Sequence, residues 1–251
     1  MKTSSISSLL WALLTAISPI CQATTLWRGD FETNDFSQWD YQLHPQGFSI
    51  THDCVNSGHS AGLIRLTGDS EFLWKGRQDL NRSELQFKPP TGTTIEGKDT
   101  FFRFSFYLPQ TLSSHAHALG YWESHGDFQQ MMRFNITGTT LSFQETAATT
   151  PFWEVPTGAS AEHWHQIEMH IHWSIDTAKG FVQTWVDGTD MGSNHFSTLN
   201  KPQATMFTQL GLLRAQENSI EAIIIDDAVA TDNLAELQKY RALPLLKTCN
   251  P

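Results

Sequence analysis

Between Phe101 and Pro109 apolar and polar side chains alternate without a break. Phe102, Phe104, Phe106 and Leu108 fall on one side, and Arg103, Ser105 and Tyr107 on the other. A period of two sends successive side chains to opposite faces of an extended chain, so this stretch is a strand with one buried face. The same period runs from Gln166 to Trp173, where Ile167, Met169, Ile171 and Trp173 alternate with Gln166, Glu168, His170 and His172. Shorter segments at 61–66, 83–87, 139–144, 181–187, 210–214 and 222–229 also read as strands, punctuated by Gly, Pro and Asn turns. One brief helical signal covers Asn233 to Arg241. Such a chain folds as an all-β, two-sheet antiparallel sandwich, a jelly roll, in which a bent sheet offers a concave polar face to extended ligands.

Residues 1–23 have the three-part pattern of a secretory leader: Lys2, an apolar segment from Ile6 to about Ile20, and small residues at Cys21-Gln22-Ala23. Cleavage is expected after Ala23, leaving 24–251 as one secreted or periplasmic domain with no repeat or linker inside it. Lipidation of Cys21 is the alternative, but Pro19 and Ile20 suit it poorly. No other apolar run approaches the ~18–20 residues of a membrane span. In an oxidising compartment the two remaining cysteines, Cys54 and Cys249, are expected to pair and tie the tail to an early loop. The formal charge of −10 becomes about −11 once Lys2 leaves, which argues against nucleic acid and against densely sulfated chains as partners. A chain of this length can enclose its own core, so a monomer is expected.

The stretch Leu119 to Asn135 carries the densest chemistry. If Gly126-Asp127 turns a hairpin, Tyr121, Glu123 and His125 share one strand face, while Gln129, Arg133 and Asn135 lie on the returning strand. Arg82, Glu84 and Gln86 share a face of an earlier strand, and Arg103 and Tyr107 add to the polar set. These residues offer no phosphate-cradling loop, no metal cage and no Ser/His/Asp arrangement. Histidines 163, 165, 170 and 172 read as solvated strand residues. The set does suit β-elimination on a uronic acid polymer, in which cationic or amide donors neutralise the carboxylate so that the neighbouring C–H proton becomes removable. Arg82 and Arg133 are expected to neutralise, with Gln129 or Gln130 assisting. His125 is expected to act as base and Tyr121 or Tyr107 as acid. Glu84, Arg103 and Glu123 complete the substrate-binding surface. No catalytic cofactor is expected, and Glu32 with Asp226 or Asp227 is a candidate pair for a structural calcium ion.

Several motifs occur in order along the chain. They are Gly29-Asp30-Phe31-Glu32 with Trp39, Asn81-Arg82-Ser83-Glu84-Leu85, Phe104-Ser105-Phe106-Tyr107-Leu108-Pro109, His163-Trp164-His165 and Trp185-Val186-Asp187-Gly188. This series resembles the heparin-lyase-like polysaccharide lyases. The resemblance implies a secreted jelly-roll enzyme that cleaves an anionic, uronate-containing polysaccharide by β-elimination, with Arg82 and Glu84 on a cleft-lining strand. That family commonly reads Gln-Trp-His where this chain has Tyr121-Trp122-Glu123, so Glu123 stands at the histidine position. A non-sulfated uronan such as alginate or a glucuronan fits the acidic surface. Two alternatives stay open. One is a glycoside hydrolase using Glu84 with Glu123 or Asp127; the other is a non-catalytic binding protein stacking sugars on Tyr121, Trp122 and Trp153.

Overall fold

The computed structural model describes residues 25–69, 80–241 and 249. The leader with its cleavage point, Cys21 and the stretch 70–79 lie outside the described residues.

Among the described residues fifteen strands run in chain order. They are β1 (Thr25–Gly29), β2 (Tyr41–Leu43), β3 (Phe48–Thr51), β4 (Ala61–Leu66), β5 (Leu80–Phe87), β6 (Asp99–Tyr107), β7 (Ala116–Ser124) and β8 (Gln130–Thr137). Then follow β9 (Thr140–Glu145), β10 (Trp153–Val155), β11 (Trp164–His172), β12 (Phe181–Val186), β13 (Thr189–His195), β14 (Met206–Ala215) and β15 (Glu221–Thr231). A helix, α1 (Leu234–Arg241), closes the series where the sequence predicted one. The back sheet has the order β13-β12-β11-β6-β15-β4-β3 with β1 added on β15, and the front sheet has the order β10-β9-β8-β7-β14-β5-β2. The pairings are antiparallel, and strands adjacent in space are often remote in sequence, as in a jelly roll.

The predicted alternation is realised. Phe102, Phe104 and Phe106 of β6 and Ile167, Met169 and Ile171 of β11 face inward, against Leu85, Trp122, Phe134, Phe143 and Leu210 of the front sheet. Fully burying each such side chain contributes roughly 1.5–3 kcal/mol, so this shared core is what holds the two sheets face to face.

The outer face of the back sheet corrects one expectation. Arg103, Ser105 and Tyr107 sit there, with the core between them and the front sheet, so neither Arg103 nor Tyr107 can join a site on the front face. Arg103 is completely buried opposite Glu168, and Tyr107 packs near Trp164 with ring centroids 5.6 Å apart. The segment after Cys54 covers this face. Asn56 and Ser57 donate their backbone N–H groups to Asp226 Oδ2 at 2.8 and 3.2 Å, and the Asn56 amide donates to Asp227 at 2.6 Å and Ser105 at 3.3 Å. The predicted Cys54–Cys249 disulfide is present, with Cα atoms 4.9 Å apart, and fastens the tail to the same corner.

Candidate active site

The outer face of the front sheet is organised by register. Gln144 of β9 pairs with Arg133 of β8, Arg133 with Tyr121 of β7, Tyr121 with Gln209 of β14, Gln209 with Gln86 of β5, and Gln86 with Tyr41 of β2. Directly paired residues point the same way, so six hydrogen-bonding side chains form one row across six strands. A cleft of about 520 Å³ opens over this row, lined by Arg82, Tyr121, Glu123, Gln130 and Gln209, with Tyr41 and Phe128 exposed at its rim.

Two irregularities set the chemistry in place. In β8 one extra residue, Met131, shifts the register so that Gln130 pairs with Glu123. In β14 the register with β7 shifts between Leu210 and Leu213, and Gly211 there adopts a φ of +149° directly opposite Glu84. A Cβ at Gly211 would lie 2.3 Å from the Ser83 carbonyl oxygen and 2.8 Å from Glu84 Cα, so only glycine allows the close approach.

Beneath that approach lies a tight cluster. Arg82 Nε donates to Glu84 Oε2, Arg82 Nη2 donates to the Tyr121 hydroxyl, and that hydroxyl donates to Glu84 Oε2 at 3.1 Å. Burial, only partly offset by Arg82, pushes the Glu84 carboxyl above its ordinary range. Burial and the Glu84 carboxylate together hold the Tyr121 phenol well above its usual value, so Tyr121 keeps its proton. Burial opposes the charge of Arg82, but Glu84 outweighs it and raises the guanidinium pKa. Glu123, 7% exposed, accepts from Gln209 Nε2 at 3.3 Å. Burial pushes its carboxyl up to about 7, with Arg82 lowering and Glu84 raising it.

The structure therefore gathers Arg82, Glu84, Tyr121, Glu123 and Gln130 in one place. Arg133 lies one strand away and lines an adjoining cavity. Gln129 and His125 do not join them. Strand β7 ends at Ser124, so His125 falls in the exposed turn, its backbone N–H donating to Thr205 O at 2.8 Å. Gln209 and Phe207 line the cleft and were missed. The predicted strand began at Leu210, because the bulge at Gly211 breaks the alternation that would have extended it.

Two further expectations are corrected. Asp127, offered as a hydrolase carboxylate, is bonded to Ser124, Asn200 and Lys201 on the exposed hairpin and held down at about 2, chiefly by Ser124. Trp122 is 2% exposed in the core, and Trp153 packs on Phe134 and Phe143 while donating to Thr184, so neither ring is presented in the cleft.

Histidines act as local ties elsewhere. His165 has Nδ1 2.8 Å from Asp187 Oδ2 and Nε2 3.0 Å from Ser160 Oγ, the distances of a Ser–His–Asp relay. Its ring is nearly buried, and the other Asp187 oxygen accepts the Gln166 N–H at 2.7 Å, so the trio locks the Asp187-Gly188 turn onto β11. His170 and His172 share Asp99 at 2.7 and 3.1 Å. Among the described residues, the group of three metal-capable side chains with ligand atoms within 4.8 Å of one another is His117, Glu217 and Glu221, and Arg214 already bridges its two carboxylates. Of the two partners expected for Glu32, Asp227 lines the same cavity and Asp226 does not. Asp226 accepts from the loop described above, whereas Glu32 lines a cavity of about 80 Å³ with Arg28, Asp30, Ser57 and Asp227.

The fold is a two-sheet antiparallel sandwich with a polar cleft over its front sheet. The sequence matches the family described as Polysaccharide lyase over residues 31–229, and the chain belongs to that family: it is a polysaccharide lyase. No curated protein matches it significantly. Among solved structures it is similar to an endo-β-1,4-glucuronan lyase from the fungus Trichoderma reesei, with a TM-score of 0.65 and 18% identity over 84% of this chain and 97% of that one. It is also similar to the alginate lyase AlgAT5 of polysaccharide lyase family 7, with a TM-score of 0.56 and 10% identity over 76% and 84%. A GH131 β-glucanase catalytic domain from Podospora anserina shares the fold as well, with a TM-score of 0.57 and 18% identity over 84% and 99%.

Proposed function

We propose that this lyase is secreted and cleaves a non-sulfated uronate polysaccharide by β-elimination in the cleft around Tyr121. The observation that carries the reading is the placement of Glu123, a carboxyl of unusually high proton affinity, in the same cleft as the Arg82–Tyr121–Glu84 cluster. Arg82, with the amides of Gln209 and Gln130, neutralises the uronate carboxylate and lowers the cost of carbanion character at C5. Glu123 as the carboxylate takes the C5 proton; its raised pKa makes it a stronger base than an exposed carboxylate. The electron pair of that C–H bond forms the C4–C5 double bond and the C4–oxygen bond breaks; the Tyr121 hydroxyl turns from Glu84 Oε2 to give its proton to the departing oxygen, and Arg82 Nη2, already donating to that hydroxyl, holds the phenolate left behind. Glu84 keeps Arg82 and Tyr121 in position, and proton exchange with solvent resets both groups.

The test is ultraviolet absorbance of the unsaturated uronate while the protein is incubated with glucuronan, alginate and other uronans. A rise with one of them supports elimination and names the sugar. New reducing ends without that absorbance would replace this reading with hydrolysis by Glu123 and Glu84.

A further inference from the structure

Among the described residues, Arg133 is a cation of this face that the mechanism above leaves unused and that has no matching carboxylate. It is half-buried on β8, its Nε is shielded from solvent without a hydrogen-bond partner, and no carboxylate among the described residues pairs with it. Arg82, by contrast, is matched by Glu84. The two guanidinium groups also face different spaces. Arg82 lines the main cleft, whereas Arg133 lines an adjoining cavity of about 350 Å³ with Asn135, Ser142 and Gln144. Leu80 and Leu213 border both cavities, so the two adjoin on the same face of the sheet. Arg82 reaches from β5 to the Tyr121 hydroxyl and is held there by Glu84, whereas Arg133 lines its own cavity on the far side of Tyr121.

A half-buried guanidinium whose Nε is shut off from solvent with no partner costs free energy that a bound anion would offset. Burial lowers the Arg133 pKa for that reason, with no carboxylate opposing it. Its surroundings are donors and neutral amides: Asn135 donates to Gln144 Oε1 at 3.0 Å, and Tyr121 is its strand partner. Among the described residues the other charges at the cavity edge are Glu154, which is exposed, and Arg214, already matched by Glu217 and Glu221. We infer that Arg133, with Asn135 and Gln144, forms a second carboxylate-binding subsite that holds another uronate of the same polysaccharide chain while Tyr121 and Glu123 act on the first. This rests on the lyase reading of the neighbouring cleft and adds a substrate requirement: a polymer carrying closely spaced uronates rather than isolated ones.

The experiment compares the native protein with Arg133→Gln on a fully charged polyuronate and on the same polymer with most carboxyls reduced to neutral alcohols. On the charged polymer the variant raises KM roughly tenfold or more while kcat changes little, because a charge-assisted hydrogen bond to substrate is lost away from the reacting atoms. The difference between the two proteins shrinks as carboxylates are removed. Equal KM values on the charged polymer, or a kcat loss of the same size on both polymers, would overturn the inference. Calorimetric titration of uronate oligomers into Glu123→Gln, with and without Arg133→Gln, reads the subsite without turnover. If the native protein forms no unsaturated product, the lyase reading fails while this titration still decides the subsite. An unchanged melting temperature for Arg133→Gln separates lost binding from lost fold.

Discussion

Gly211 stands directly across from Glu84 where β14 slips one residue against β7, and the missing side chain is what lets the Glu84 carboxylate sit beneath Arg82 and Tyr121. Gly211→Ala is therefore expected to act at a distance on the proton-transfer groups. The new methyl would meet Ser83 and Glu84 backbone atoms, and φ of +149° suits no other residue, so stability falls by roughly 1–3 kcal/mol. Product formation falls further than the melting temperature alone explains, since Arg82 loses its registration with Tyr121. A variant with normal kcat would show that the bulge is only structural.

Tyr121→Phe and His125→Ala separate two assignments that the sequence placed on one face. Removing the phenol that would protonate the leaving oxygen is expected to lower kcat by roughly 10²- to 10⁴-fold. His125 lies in the exposed turn beyond β7, and its loss should leave kcat/KM within about twofold, as for other surface changes. A large loss for His125→Ala would return the base to the hairpin and displace Glu123.

These two residues show how far the sequence could be read. Alternation placed Tyr121 and Glu123 on one face correctly, because inward and outward parity is a local property of an extended chain. It carried the pattern on to His125 because nothing local marks where β7 ends; that end depends on Asp127 capping Ser124 and on Thr205 pairing with His125. The parity of Arg103 and Tyr107 was right as well, yet they belong to the back sheet. Sheet membership is decided by which remote strands pair, here β6 with β11 and β15, and no short stretch encodes that. Gln209 was hidden by the bulge at Gly211.

Cys54 and Cys249 close a loop with a sequence separation of 195 residues on the back sheet, away from the cleft. Chain-entropy arguments put the stabilisation at about 5 kcal/mol or less. Cys54→Ser is expected to lower the denaturation midpoint by a corresponding amount while leaving kcat and KM unchanged. Altered kinetics would mean that the corner held by Asn56 and Asp226 communicates with the front sheet.

The calcium proposal rests on Glu32 with Asp227, joined by Asp30 and Ser57 as oxygen donors around one small cavity that Arg28 also lines, so the ion has to bind beside a guanidinium. Glu32 accepts the His59 and Ser60 N–H groups through Oε1, leaving Oε2 without a donor among the described residues. Calcium is expected to raise the melting temperature of the native protein, by mass action worth about 2.7 kcal/mol at a hundred times Kd, and not that of Glu32→Gln. Equal shifts in both proteins, or none in either, would overturn the calcium proposal.

Glu123 gives the pH dependence its sign. Its carboxyl is raised from an ordinary 4.5 to about 7, chiefly by burial, so the folded protein holds this proton more tightly than the unfolded chain does. The stabilisation linked to that proton is complete below pH 4.5 and is lost as the pH rises through about 7. Above that window Glu123→Gln is expected to be the more stable protein, by no more than about 3 kcal/mol because the cleft admits some solvent. Activity runs the other way. As base, Glu123 must be ionised, so kcat/KM should climb through about pH 7 in the native protein, whereas Glu123→Gln should lose that limb together with most of the rate. A native profile that is flat between pH 5.5 and 8.5, or a Glu123→Gln variant that keeps its activity, would assign the proton abstraction to another group. Stability and rate moving in opposite directions across one window would be hard to obtain from a residue that only fills space, since a structural carboxyl would move both the same way.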